Sequence, residues 1–203
     1  MVKSLAYMGV TSPGLAEWES FGPEVLGLEA RLSENEDVLQ LRMDDRHHRL
    51  AIHRGERNAL LYLGWDAGDE DSLGTCFEVL QRSGVTSRWG TEEECWERQV
   101  LSMVVAEDPS GIRHELVSGQ KVEPKSFRPG RAISEFVTGE QGMGHVVLAV
   151  PDLKAAHGST PMASDSRRAT RSPRSSTSSS TTATRATTAW RLLRFPVCAG
   201  CTT

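Results

Sequence analysis

No apolar run in this chain approaches the roughly 20 residues that a membrane-spanning helix needs. The opening residues, "MVKSLAYMGV", also lack the basic-then-apolar layout of a secretory signal. These two absences argue against a membrane partner and make the cytoplasm the expected compartment. Cysteine is scarce: Cys76 and Cys95 lie in the body of the chain, and Cys198 and Cys201 at its end. That number and placement exclude a disulfide framework and fit a reduced chain. Residues 167–188, "RRATRSPRSSTSSSTTATRATT", contain no apolar side chain larger than Ala. Such a stretch cannot bury enough surface to offset the entropy of ordering it, so it is expected to be disordered.

What is present divides sharply. The 203 residues suffice for one ordinary domain or two small ones, and their net charge is −4. From residue 158 onward there are seven Arg, no Lys and a single acid, Asp165, so that part carries +6 and the remainder −10. An acidic, well-patterned body is joined to a basic, unpatterned tail. The tail has Arg for phosphate contacts but neither Lys nor interleaved aromatics, which argues against nucleic acid as a partner.

The body repeats. "SLAYMGVTS" alternates as a strand, and "GLAEWESFGPEVLGL" follows as a short amphipathic helix ending near Gly27. "DVLQLRMDD" and "HRLAIHRGE" read as strands separated by polar turns. The pattern restarts with the strand "NALLYLGWDA", the helix "SLGTCFEVLQRSG" stopped by Gly84, and two strands in "RQVLSMVVAEDPSGIRHELVSG" joined at Asp-Pro-Ser-Gly. The unit is strand–helix–strand–strand–strand, an α+β arrangement, and it occurs twice before residue 120. After the linker "VEPKSFRPGRA", the segment "GMGHVVLAVPDLKAA" opens a third unit with a strand running into a helix. Superposing the three starts puts Tyr7, Tyr62 and His145 at one place on the first strand of each unit. "GEQGMG" is followed by a strand rather than a helix N-terminus, which argues against a phosphate loop. His47, His48 and His53 are expected to be surface residues, because strand alternation sends His47 and His48 to opposite faces.

"VTGEQGMGHVVLAV" resembles the domain junction of type I extradiol ring-cleavage dioxygenases of the vicinal-oxygen-chelate superfamily, and the resemblance spans about residues 2–157. It implies two domains of two βαβββ units each: a non-catalytic first domain, and a second holding Fe(II) through two His and one Glu. Two imidazoles and a carboxylate on one face of iron leave positions open for a catechol and O₂. By this resemblance His145 is the first iron ligand. Val147, two residues on and so on the same strand face, would line the substrate pocket. Tyr7 and Tyr62 stand where the first domain would carry His and Glu115 where it would carry the carboxylate, so no metal is expected there. The resemblance is greatest to enzymes that take bicyclic or steroid-derived catechols. It also leaves room for a homo-oligomer.

The tail can be tested against the genetic code. Thr184–Arg191 written as codons and read two bases later permits "PRHHSLA", and residues 46–51 of this chain read "RHHRLA". The same offset carried to the end permits "FTPVPGVRGLHH". Gly158–Ser166 at that offset permits "FYTDGLGF", spaced like "FGPEVLGL" at residues 21–28. Tyr7 precedes Phe21 by fourteen residues, and His145 precedes the restored Phe by the same number. Agreement at both ends at one offset points to a reading frame lost near Ala156–Gly158, with the second iron ligand in the restored "LHH" and the Glu ligand further on.

The expected layout is therefore a two-module domain over residues 1–137, the opening of a catalytic domain over 138–157, and an out-of-frame, disordered tail over 158–203. The parental protein is expected to cleave a catechol beside its hydroxyls with O₂. The chain as written carries one ligand of three and is expected to be inactive. The alternative is a stand-alone module that binds a small molecule or a partner without catalysis.

Overall fold

The repeat read from the sequence is also a repeat in space. In the computed structural model, which describes residues 2–34, 36–152 and 187–189, the first unit comprises β1 (Ser4–Ser12), α1 (Leu15–Phe21), β2 (Glu29–Leu32), β3 (Val38–Arg42) and β4 (Leu50–Arg54). The second comprises β5 (Ala59–Gly68), α2 (Glu70–Arg82), β6 (Ser87–Trp89), a short extra helix α3 (Glu92–Arg98), β7 (Ser102–Glu107) and β8 (Arg113–Ser118). One eight-stranded sheet holds them in the order β2-β3-β4-β1-β5-β8-β7-β6. Each unit's first strand pairs parallel with its last, β1 with β4 and β5 with β8, and the units meet where β1 and β5 pair antiparallel. This is the expected α+β architecture of repeated βαβββ units.

Local chemistry explains the elements. α1 runs into a π-helical turn over Gly22–Leu26, which Gly27 ends in the left-handed conformation at φ 78°. α2 starts on Asp69, whose carboxylate accepts the Ser72 N–H at 2.8 Å. α3 starts with a capping box: Thr91 accepts from the Glu94 amide, and the Glu94 carboxylate from the Thr91 amide. The β7–β8 turn is tied by Asp108, whose side chain accepts the Ser110 and Ile112 amides.

Alternation makes the two faces of the sheet unlike. One face carries α1 and α2: α1 seats Leu15 with Leu28, Leu39, Leu41 and Ile52, and α2 seats Leu73, Cys76 and Leu80 with Val104, Ala106 and Leu116. Between them Leu5 and Leu63 are covered by Leu148 and Val150 of the segment that follows the two units. Its strand β9 (Val147–Ala149) therefore buries one side against β1 and β5. The opposite face carries Tyr7, Tyr62, His53 and Glu115 beside the apolar Met103, Val105 and Val117, and α3 packs there through Cys95 and Arg98.

The segment that read as a linker is fastened to the first unit. Arg46 donates to the Gln120 carbonyl at 2.9 Å, Arg42 to that of Lys125 at 3.0 Å, and the Arg131 guanidinium to that of Val25 at 2.7 Å. The helix expected after β9 lies outside the described residues. So does most of the tail expected to be disordered. Its described part, Thr187–Ala189 (β10), pairs antiparallel with the otherwise open edge of β9, which supplies unpaired backbone groups. Among the described residues no helix is long and apolar enough to cross a membrane.

Candidate functional site

Tyr7 and Tyr62 face each other across the joint between the units, and a Tyr-x-Gly pattern in each strand puts them there. In the β1–β5 register Tyr7 stands opposite Gly64, and Gly9 opposite Tyr62. A Cβ on Gly9 would lie 2.1 Å from Tyr62 Cζ, and one on Gly64 2.4 Å from the Tyr7 ring. Each ring fills the space left by the other strand's glycine, and the two rings meet edge-on at 5.9 Å between centroids.

Glu115, from β8, is fully buried beside them. The Tyr7 hydroxyl donates to its Oε2 at 2.8 Å, Arg98 Nε donates to the same oxygen at 3.1 Å, and Arg113 Nε donates to Oε1 at 2.7 Å. Arg98, the last residue of α3, also lies over the Tyr62 ring, its Cζ 3.8 Å from the centroid. Burial opposes the Arg98 charge, but the surrounding Tyr62, Glu115 and Tyr7 outweigh it and raise its pKa above the ordinary arginine value. Burial, then the nearby Glu115 charge, raises the Tyr7 pKa, and burial raises that of Tyr62, so both hydroxyls stay protonated. From Glu115 alternating charges lead outward through Arg113 and Glu94 to the exposed Arg88. Hydrogen bonds from Arg88 are the chief cause that holds the Glu94 carboxyl well below the usual carboxylate range.

The histidines correct the sequence expectation. His47 and His48 are 6% and 1% exposed rather than on the surface. They lie in the β3–β4 loop, where strand alternation does not apply. Their Nδ1 atoms are 3.1 Å apart, and His48 packs beside the Tyr7 ring at 5.6 Å. His47 also touches the Arg31 guanidinium. His53 is half-buried in β4, with its Nε2 at 2.7 Å from the Tyr62 hydroxyl. Burial and then the Arg31 charge push the His47 pKa to about 4; burial and then His47 push that of His48 to about 3.

These shifts fix an acid dependence. Unfolded histidines titrate near their ordinary value of 6.5. Between there and about 3 the unfolded chain therefore binds more protons than the folded one. Stability is full above 6.5 and falls as pH drops through that window, by about 1.4 kcal/mol per pH unit for each histidine. Urea denaturation at pH 7, 6 and 5 is expected to show this loss, well above the range in which carboxylates titrate. Burial lowers the pKa values of His53 and His114 as well, so His48→Phe is expected to reduce the slope by one histidine's share; an unchanged slope would contradict the assignment.

His145 is exposed just before β9, and Val147 and Ala149 share its exposed side. His145 and Val147 are thus both exposed, whereas Leu148 packs on Leu5 and Leu63. Among the described residues no group of three or more His, Cys, Asp or Glu is placed to hold a metal ion. Residues 158–203 contain neither His nor Glu. The described residues therefore do not form a complete two-His-one-carboxylate iron site. Glu115, the one fully buried carboxylate here, has both oxygens engaged by arginine and tyrosine. Cys76 and Cys95 are not joined in a disulfide, and Cys198 and Cys201 lie outside the described residues.

Arg98, Arg113, His48 and His53 complete the buried cluster, and none was anticipated from sequence. The one available signal for Arg98 was the Thr91–Glu94 capping box, which marks the helix that delivers it.

Comparison with known proteins agrees with this architecture. Residues 5–55 match the domain family described as "Dihydroxybiphenyl dioxygenase BphC D1". The chain is 36% identical over 157 residues to a 1,2-dihydroxynaphthalene dioxygenase of Sphingobium xenophagum, covering 76% of this chain and 53% of that protein. It is 36% identical over 159 residues to an iron-dependent extradiol dioxygenase of Rhodococcus jostii (strain RHA1), covering 76% of this chain and 51% of the relative. The crystal structure of BphC, a halotolerant catechol dioxygenase, superposes with a TM-score of 0.72 at 43% identity over 77% of this chain and 52% of that one. The chain thus spans about half the length of the relatives it matches. Residues 5–55 match the BphC D1 domain family, and about three quarters of the chain is similar to about half the length of extradiol dioxygenases.

Proposed function

We propose that residues 1–137 are the non-catalytic first domain of an extradiol catechol dioxygenase and that 138–157 open its catalytic domain. In the complete protein His145 would be one of three Fe(II) ligands, with a second His and a Glu supplied by later codons, and Val147 would line the pocket for a bicyclic or steroid-derived catechol. Ring cleavage with O₂ belongs to that complete protein. The supporting observation is the identity of 36% over 157 residues to a 1,2-dihydroxynaphthalene dioxygenase. The exposure of His145 and Val147 at the start of β9 is compatible with it.

For the 203-residue chain itself the proposal is loss of catalysis. One imidazole cannot fix the geometry of an iron that must also orient catechol and O₂. Purified chain reconstituted with ferrous iron is expected to hold no stoichiometric metal after desalting and to give no yellow product from 2,3-dihydroxybiphenyl. Product formation with bound iron would contradict this. Saturable catechol binding without product would favour the stand-alone binding module instead.

A further inference from the structure

The cluster around Glu115 has the composition of a cation receptor. A fully buried carboxylate lies beside an aromatic face, the combination that recognises planar cations. The receptor's walls do not depend on what fills it, because the Tyr62 and Tyr7 rings are seated against Gly9 and Gly64 of the paired strands. The filling residue, Arg98, is 7% exposed and belongs to a seven-residue helix outside the repeated βαβββ unit.

We propose that Tyr62, Glu115 and Tyr7 form a guanidinium-binding site, and that Arg98 occupies it as a ligand tethered through α3. The geometry selects this chemical class. A guanidinium can lie flat on Tyr62 while directing two N–H groups at one carboxylate, as Arg98 does with Nε at 3.1 Å and Nη2 at 3.4 Å. An ammonium offers no plane to stack. A divalent metal would need bare oxygen donors, whereas the Tyr7 hydroxyl already donates to Glu115. Arg113 approaches the same carboxylate from the side leading to Glu94, so removing Arg98 leaves the box open but still paired on its outer edge.

The test is chemical rescue in the 203-residue chain. Arg98→Ala is expected to lower the thermal midpoint by about 10 °C. Methylguanidinium at about 20 mM is expected to restore about 5 °C, saturably, as a ligand of millimolar Kd would. Equal concentrations of sodium chloride or methylammonium should restore none of it. The unsubstituted chain, whose box is full, should not respond to methylguanidinium. Equal responses to all three salts, or an equal response of the unsubstituted chain, would overturn the proposal. Should Arg98→Ala fail to fold, Arg98→Lys is expected to melt well below the unsubstituted chain; Arg98→Lys melting level with the unsubstituted chain would overturn it too.

Discussion

Glu115→Ala is expected to cost about 3–5 kcal/mol of stability, read as a fall of about 10 °C in the thermal midpoint. The size follows from what the substitution strands. Glu115 is fully buried and accepts from Tyr7, Arg98 and Arg113. Without it the Arg98 guanidinium keeps only Glu97 at 3.0 Å on the outer side and the face of Tyr62. A guanidinium cannot shed its proton to escape burial. Tyr7, also buried, loses its acceptor at the same time. The exposed pair Arg82–Glu78, at 2.8 Å with both side chains mostly in solvent, supplies the control. Arg82→Ala should change stability by no more than about 0.5 kcal/mol. A Glu115→Ala loss no larger than the control's would mean that the buried cluster does not hold the two units together.

Adding one base near codon 157 is expected to convert an inactive gene into an active one. The offset at which the tail yields "FYTDGLGF", "PRHHSLA" and "GLHH" lies two bases forward of the written frame, equivalent to one base lost upstream. The restored product should bind ferrous iron stoichiometrically and turn over 2,3-dihydroxybiphenyl at an ordinary enzyme rate, on the order of 1–10³ s⁻¹. His145→Ala in that product should abolish both. A restored product that folds yet neither binds iron nor cleaves catechol would remove the basis for assigning His145 as a ligand.

Long periodic elements were legible in the sequence: β1, β3, β4, β5, α2, β7 and β8 all fall where alternation or helical spacing put them. The shorter elements were not. β2, "EARL", has no β-branched residue, and β6, "SRW", is a three-residue edge strand. α3, "EEECWER", has an almost wholly charged face and no apolar stripe to mark it. The repeat superposed Tyr7 on Tyr62, the resemblance put Glu115 at the carboxylate position, and the fold brings the three together. It could not supply Arg98, because that residue belongs to an insertion found in one unit only. Nor could it show His47 and His48 buried, since strand periodicity was applied to a loop.

The codons themselves test the account most directly. The amino-acid sequence permits the restored segments but leaves bases open, mostly at third positions, and only the nucleotides fill them. Sequencing the DNA from codon 150 past codon 203 should show that, two bases forward of the written frame, the third bases spell Phe-Tyr-Thr-Asp-Gly-Leu-Gly-Phe and Arg-His-His-Ser-Leu-Ala. That frame should also run on uninterrupted through Gly-Leu-His-His. Stops in that frame, or third bases spelling unrelated residues, would show that residues 158–203 never encoded the rest of a catalytic domain.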